Sequence, residues 1–128
     1  MTNILIKASS RYPIRRKLIK ATIAQVLTDK KISSDVEVEI NIIGDRKMTQ
    51  LNEQYLNKPG TTDVISFPLN EKINQAQQDP DEVLRLGTIF ISYPKAQKQA
   101  NTYRRLVDEE INRLVEHGML HLLGIHHK

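Results

Sequence analysis

Val36-Glu37-Val38-Glu39-Ile40-Asn41-Ile42 alternates apolar and polar residues, and Gly44 follows it closely. Successive side chains of a strand point to opposite faces, so this stretch predicts a strand with one buried face. Asp45 then suits the N-cap of a helix that carries Met48, Leu51 and Tyr55 on one side. Upstream, residues 2–8 read as a short strand. Pro13 can open a helix running to about Lys30, with Ile14, Leu18, Ile19, Ile23, Val26 and Leu27 recurring at helical spacing. Arg15, Arg16, Lys17 and Lys20 cluster near its start, where they oppose the helix dipole. They read as a solvated basic face, with a polyanionic partner as the alternative.

Downstream of that strand, Asn57 to Thr62 contains Pro59 and Gly60 and reads as a loop. Val64 to Leu69 is a third strand, and the polar stretch Asn70 to Asp81 is a flexible connection. Leu86 to Ser92 is a fourth strand, and Pro94 starts a helix through about Arg105. Asp108, Glu109 and Glu110 suit the N-terminal end of a last helix. The order of elements implies an α+β fold, a mixed four-stranded sheet packed with helices, in one domain spanning residues 1–128. Strand order does not follow from the pattern.

Composition narrows the chemistry. With no cysteine, a disulfide scaffold, a thiolate metal site and a cysteine nucleophile are all excluded, so any metal must take nitrogen or oxygen ligands. The net charge of +4 favours a polyanionic partner without requiring one. The N-terminal apolar run is too short for a signal peptide, and no run approaches the ~20 residues of a membrane span, so a soluble cytoplasmic protein is expected.

All four histidines, His117, His121, His126 and His127, fall near the C-terminus. At ~100° per residue, His117 and His121 lie on one helical face a turn apart and can reach one point. Gly124 tolerates left-handed backbone angles, ends the helix and lets the chain turn back, so that His126 or His127 can supply a third imidazole. Three neutral imidazoles leave the fourth position of a tetrahedral divalent ion open, which is the catalytic arrangement. Zinc is the ion expected first, although imidazole also suits nickel, copper and iron. The competing reading is a chance pair of surface histidines on an amphipathic helix. The residue after the first histidine is Gly118, not the glutamate of the zinc peptidase pattern, and Glu116 projects about 100° away, so an ordinary peptidase is disfavoured.

The string from His117 to His127 resembles the signature H-G-x-L-H-L-x-G-x-x-H of the YbeY family of endoribonucleases. A second block agrees: Leu51, Asn52 and Tyr55, then Thr62-Asp63-Val64-Ile65-Ser66-Phe67-Pro68, resemble L-N-x-x-Y/F-R followed by T-D-V-L-S-F-P. Gly87-Thr88-Ile89-Phe90-Ile91-Ser92 resembles the strand G-D-I-V-I-S. The resemblance implies a single-strand-specific endoribonuclease of ribosomal RNA maturation and ribosome quality control. It also implies a zincin-like site with one divalent ion on His117, His121 and His127. Its partners would be single-stranded RNA or rRNA and the ribosome or small-subunit proteins, with no membrane.

The chain departs from the family pattern at three places. Leu56 stands where the family usually has an arginine thought to contact phosphate, Thr88 where its strand has aspartate, and His126 where aspartate precedes the third histidine. Lys58 is the nearest cation able to replace the arginine, as a point charge and not a bidentate fork, or else a solvated loop lysine. Asp63 and Ser66 come from the second matched block and complete the candidate catalytic set. Asp63 can orient a ligand or water, or simply cap a turn. Few aromatic residues and no tryptophan argue against a base-stacking platform. Two rivals are a metal hydrolase of another substrate class and a non-catalytic, metal-stabilised ribosome-binding module.

Overall fold

The alternating stretch forms the middle of strand β2 (Asp35–Ile43), and the other elements assemble around it in the order read from the pattern. They are β1 (Asn3–Ala8), α1 (Arg16–Asp29), α2 (Asp45–Leu56), β3 (Val64–Pro68), β4 (Val83–Ser92), α3 (Tyr93–Tyr103) and α4 (Val107–Leu122). The structure, a computed structural model, describes residues 2–69 and 83–125. The Asn70 to Asp81 connection, His126 and His127 therefore lie outside the described residues.

The strands form one mixed sheet in the order β1-β2-β4-β3. β1 and β4 both run parallel to β2, while β3 runs antiparallel to β4 and occupies an edge. A parallel neighbour requires a crossover, and α1 supplies it between β1 and β2. On one face Ile6, Val38, Ile40, Ile89 and Ile91 pack against α1 through Ile19, Ile23 and Val26, and against α4 through Ile111, Leu114, Val115 and Met119. α2 covers the other face near β3, where Met48 joins Ile43 and Ile65 with Leu51, Phe67 and Phe90 around them. The one-sided burial expected for β2 thus holds in its first half, whereas Asn41 and Ile43 on the second face are also buried.

β4 carries a bulge that fixes its pairing with both neighbours. Glu37 is opposite Arg85 while Val38 is opposite Gly87, so Leu86 is the extra residue, and it is fully buried. Gly87 has φ +132°, and a Cβ there would lie 2.1 Å from the Phe67 carbonyl oxygen, so only glycine fits.

Helix ends differ from the sequence reading in instructive ways. α1 begins at Arg16, three residues beyond Pro13. Gly44, not Asp45, is the N-cap of α2. Asp45 turns its carboxylate to the Ser92 hydroxyl at 2.8 Å and the Thr61 hydroxyl at 3.2 Å, so it ties the 57–62 loop to the end of β4. Ser92 in turn caps α3 by accepting from the Lys95 amide at 3.2 Å. At α4 the N-cap is Leu106, whose amide is satisfied by Glu109 at 3.0 Å. Of the basic cluster on α1, Arg15 pairs with Asp108 of α4 and Arg16 donates to the Ile6 carbonyl, so those two join elements while Lys17 and Lys20 are exposed.

Candidate active site

α4 carries His117 and His121 one turn apart because its apolar residues Ile111, Leu114, Val115, Met119 and Leu122 dock the helix on the sheet. The two imidazole centroids are 4.6 Å apart with ring planes at 53°. The rings border a cleft of about 210 Å³ together with Leu56, Val64, Ile65 and Ser66. β3 is an edge strand, so the cleft lies along its outer side, between α4 and the C-terminal end of α2.

Gly118 sets how closely α4 approaches that strand. A Cβ at this position would come within 2.9 Å of both Ile89 Cδ1 and Cγ2, and within 3.1 Å of Ser66 Oγ. The Ser66 hydroxyl donates to the Gly118 carbonyl at 3.4 Å. The position that holds a general base in the peptidase pattern is here a contact surface. Among the described residues that line the cleft none carries a carboxylate.

Nearly two turns before His117, Glu110 has no exposed surface at all. Its Oε1 accepts from Arg113 Nε at 2.9 Å and Nη2 at 2.6 Å, and its Oε2 from Arg105 Nη1 at 2.9 Å. Burial pushes the Glu110 carboxyl up, but the hydrogen bonds and charges of Arg113 and Arg105 outweigh it and hold the group below the usual carboxylate range. Arg113 is held more firmly protonated, by its bonds to Glu110 first and more weakly by nearby Asp63 and Tyr103. Asp63 Oδ2 accepts from Gln99 of α3 at 3.1 Å, and its backbone carbonyl accepts from the Ser92 amide at 2.9 Å.

The fold therefore brings His117, His121 and Ser66 into one cleft. Asp63 stands outside the residues that line it, turned toward α3. Lys58 is exposed on the loop after α2, two residues beyond Leu56, and does not line the cleft. His127 lies outside the described residues, and among those described no group of three His, Cys, Asp or Glu side chains could hold a metal ion. Two nitrogen donors at this separation, with positive φ at Gly124 (+79°), fit two of the three expected donors. Sequence reasoning missed Leu56, Val64 and Ile65 as walls of the cleft, and it took Glu110 for a dipole partner when it is an ion-pair centre. The spacing Glu110, Arg113, His117, His121, which follows one stripe of a helix, was the available signal.

Comparison with known proteins shows the family. The family model described as Endoribonuclease YbeY matches residues 6–128. Endoribonuclease YbeY of Persephonella marina is 38% identical over 130 residues, covering all of this chain and 80% of that one. Its counterpart from Thermoanaerobacter sp. (strain X514) is 33% identical over 118 residues, covering 88% of this chain and 74% of that one. The solution structure of TM1509 from Thermotoga maritima matches with a TM-score of 0.60 at 25% identity, over all of this chain and 75% of that one. A match running through both the histidine helix and the edge strand beside it places the chain in the endoribonuclease YbeY family.

Proposed function

We propose that this endoribonuclease cuts single-stranded RNA in ribosomal RNA maturation and ribosome quality control, using one divalent ion, zinc first, held by His117, His121 and His127 in a zincin-like site. The observation that carries the reading is the pair of imidazoles 4.6 Å apart on the wall of a cleft that the edge strand β3 borders. Ribosomal or small-subunit proteins are its expected partners, in the cytoplasm. No helix among the described residues is long and apolar enough to cross a membrane.

When bound, such an ion supplies Lewis-acid polarisation of a phosphate oxygen and acidifies water. The rest falls to the chain. Ser66 Oγ, whose bond to the Gly118 carbonyl is long at 3.4 Å, can exchange it for a substrate oxygen. Gly118 holds the histidine helix close to β3, which keeps the imidazoles and Ser66 on opposite walls of one narrow cleft. Asp63, fixed by Gln99 and the Ser92 amide, positions the start of β3. Lys58 reaches the flanking phosphate as a point charge. Gly118 in place of a glutamate after His117 suits phosphoryl chemistry assisted by an ion better than a peptidase mechanism that needs a glutamate base.

The test pairs metal analysis with cleavage of single-stranded and duplex RNA, each with and without chelator. His117→Ala and His121→Ala should lose stoichiometric metal and all cleavage while remaining folded. Full metal content in the double variant would sink the site. Leu56, part-exposed in the cleft, favours a second reading as a ribosome-binding module without catalysis. Co-sedimentation with ribosomes in the absence of any cleavage would select it.

A further inference from the structure

Glu110 is a single buried negative charge, yet two guanidiniums grip it. One cation would balance it; the second is balanced only in part, by the more distant Asp63, and both guanidiniums stand where they are not buried. Arg105 is 40% exposed and Arg113 49% exposed. Asp63 offsets part of that charge, acting on Arg113 more weakly than Glu110 does. The bonds to Glu110 use Arg113 Nε and Nη2 and Arg105 Nη1, which fixes both planes while other donor hydrogens of each fork face away from that carboxylate. A guanidinium oriented in advance loses less entropy when it captures a phosphate.

Tyr103, at the C-terminal end of α3, is 61% exposed. The Arg105 guanidinium carbon lies 5.1 Å from its ring centroid, and Tyr103 is close enough to Arg113 to influence its charge. Arg113 sits four residues before His117, about 6 Å along the helix axis. Because Arg113 reaches back to Glu110, the three side chains meet nearly two turns, about 10 Å along the axis, before His117.

We propose that Arg105, Arg113 and Tyr103 form a nucleotide subsite beside the histidine cleft, in which the two guanidiniums hold an RNA phosphate and the Tyr103 ring stacks the adjoining base. The inference rests on the reading of RNA as substrate. It adds a position for the strand that the cleft itself, walled by Leu56, Val64 and Ile65, does not supply. Phosphate and base contacts are separable, because a phosphate contact is salt-dependent and stacking is not. A scarcity of aromatic residues excludes an extended platform; one exposed tyrosine is enough for one base.

The experiment measures binding of a fluorescein-labelled single-stranded oligouridylate in EDTA across a salt series, on the full chain and its variants. Arg113→Gln should lower the slope of log affinity against log salt by roughly 0.7, one phosphate contact. Arg113→Lys should keep the slope. Tyr103→Ala should weaken binding about tenfold at every salt concentration with the slope unchanged, and the loss should vanish on an abasic strand. If Arg113→Gln does not fold, the double variant Glu110→Gln/Arg113→Gln, which removes the buried charge together with its partner, carries the slope measurement. Parent-like slope in the folded arginine variant and parent-like affinity in Tyr103→Ala would overturn the subsite alone. A parent chain that binds no oligouridylate would overturn the RNA reading and the subsite with it.

Discussion

Gly118→Ala tests whether the glycine between His117 and His121 is there for packing. The new Cβ would sit 2.9 Å from two atoms of Ile89, about half an ångström inside ordinary van der Waals contact. Ile89 is fully buried, and its Cγ2 is on the stiff β-branch, so the side chain cannot swing clear. Overpacking of this kind costs about 1–3 kcal/mol. Alanine returns roughly 1 kcal/mol through its better helix propensity. The balance is a loss of about 1 kcal/mol, or roughly 3–5 °C in melting temperature for a chain of this size. Activity should fall further than stability, because a shift of α4 by a few tenths of an ångström moves the histidines relative to Ser66 and β3, and displacements near 1 Å can cost about 100-fold in rate. A double-mutant cycle with Ile89→Val isolates the cause, since valine lacks the Cδ1 that makes one of the two contacts. Urea unfolding should show a favourable coupling of about 0.5 kcal/mol or more. Additive losses, or a variant that melts above the parent at full rate, would refute the packing argument.

Two further outcomes follow from the charged groups. The depressed Glu110 carboxyl stabilises the fold fully above its unfolded value of about 4.3, and that stability is lost as pH falls through the lower folded value. Glu110→Gln should therefore cost about 1–3 kcal/mol at pH 7, the buried-pair penalty reduced because both arginines are partly solvated, and it should flatten the acid limb of the stability–pH curve. Parallel curves for parent and variant would show that the carboxylate is not held by its arginines. Lys58→Ala should leave melting unchanged and lower the salt slope of RNA binding by about 0.7. An unchanged slope would make Lys58 a solvated loop residue.

The local patterns were legible because they depend on neighbours in sequence. Alternation in β2 and the turn-apart spacing of His117 and His121 require only strand and helix periodicity. Strand order was not legible, because pairing β2 with β4 and leaving β3 at the edge depends on contacts between residues far apart in the chain. Glu110 was misread for a related reason. A carboxylate in the first turn of a helix satisfies the dipole argument wherever it points, and only the sheet beneath α4 shows that this one points inward. Gly118 makes the same point from the side of chemistry: in sequence it reads as a missing general base, and in three dimensions as the contact that sets the width of the cleft. A glutamate at that position would have to place its stem where Ile89 and Ser66 already stand, so the peptidase arrangement is barred by packing before any question of catalysis arises. Ser66 on the cleft wall and the arginine pair nearly two turns before His117 therefore carry separate experimental questions, the first of substrate contact and the second of phosphate binding.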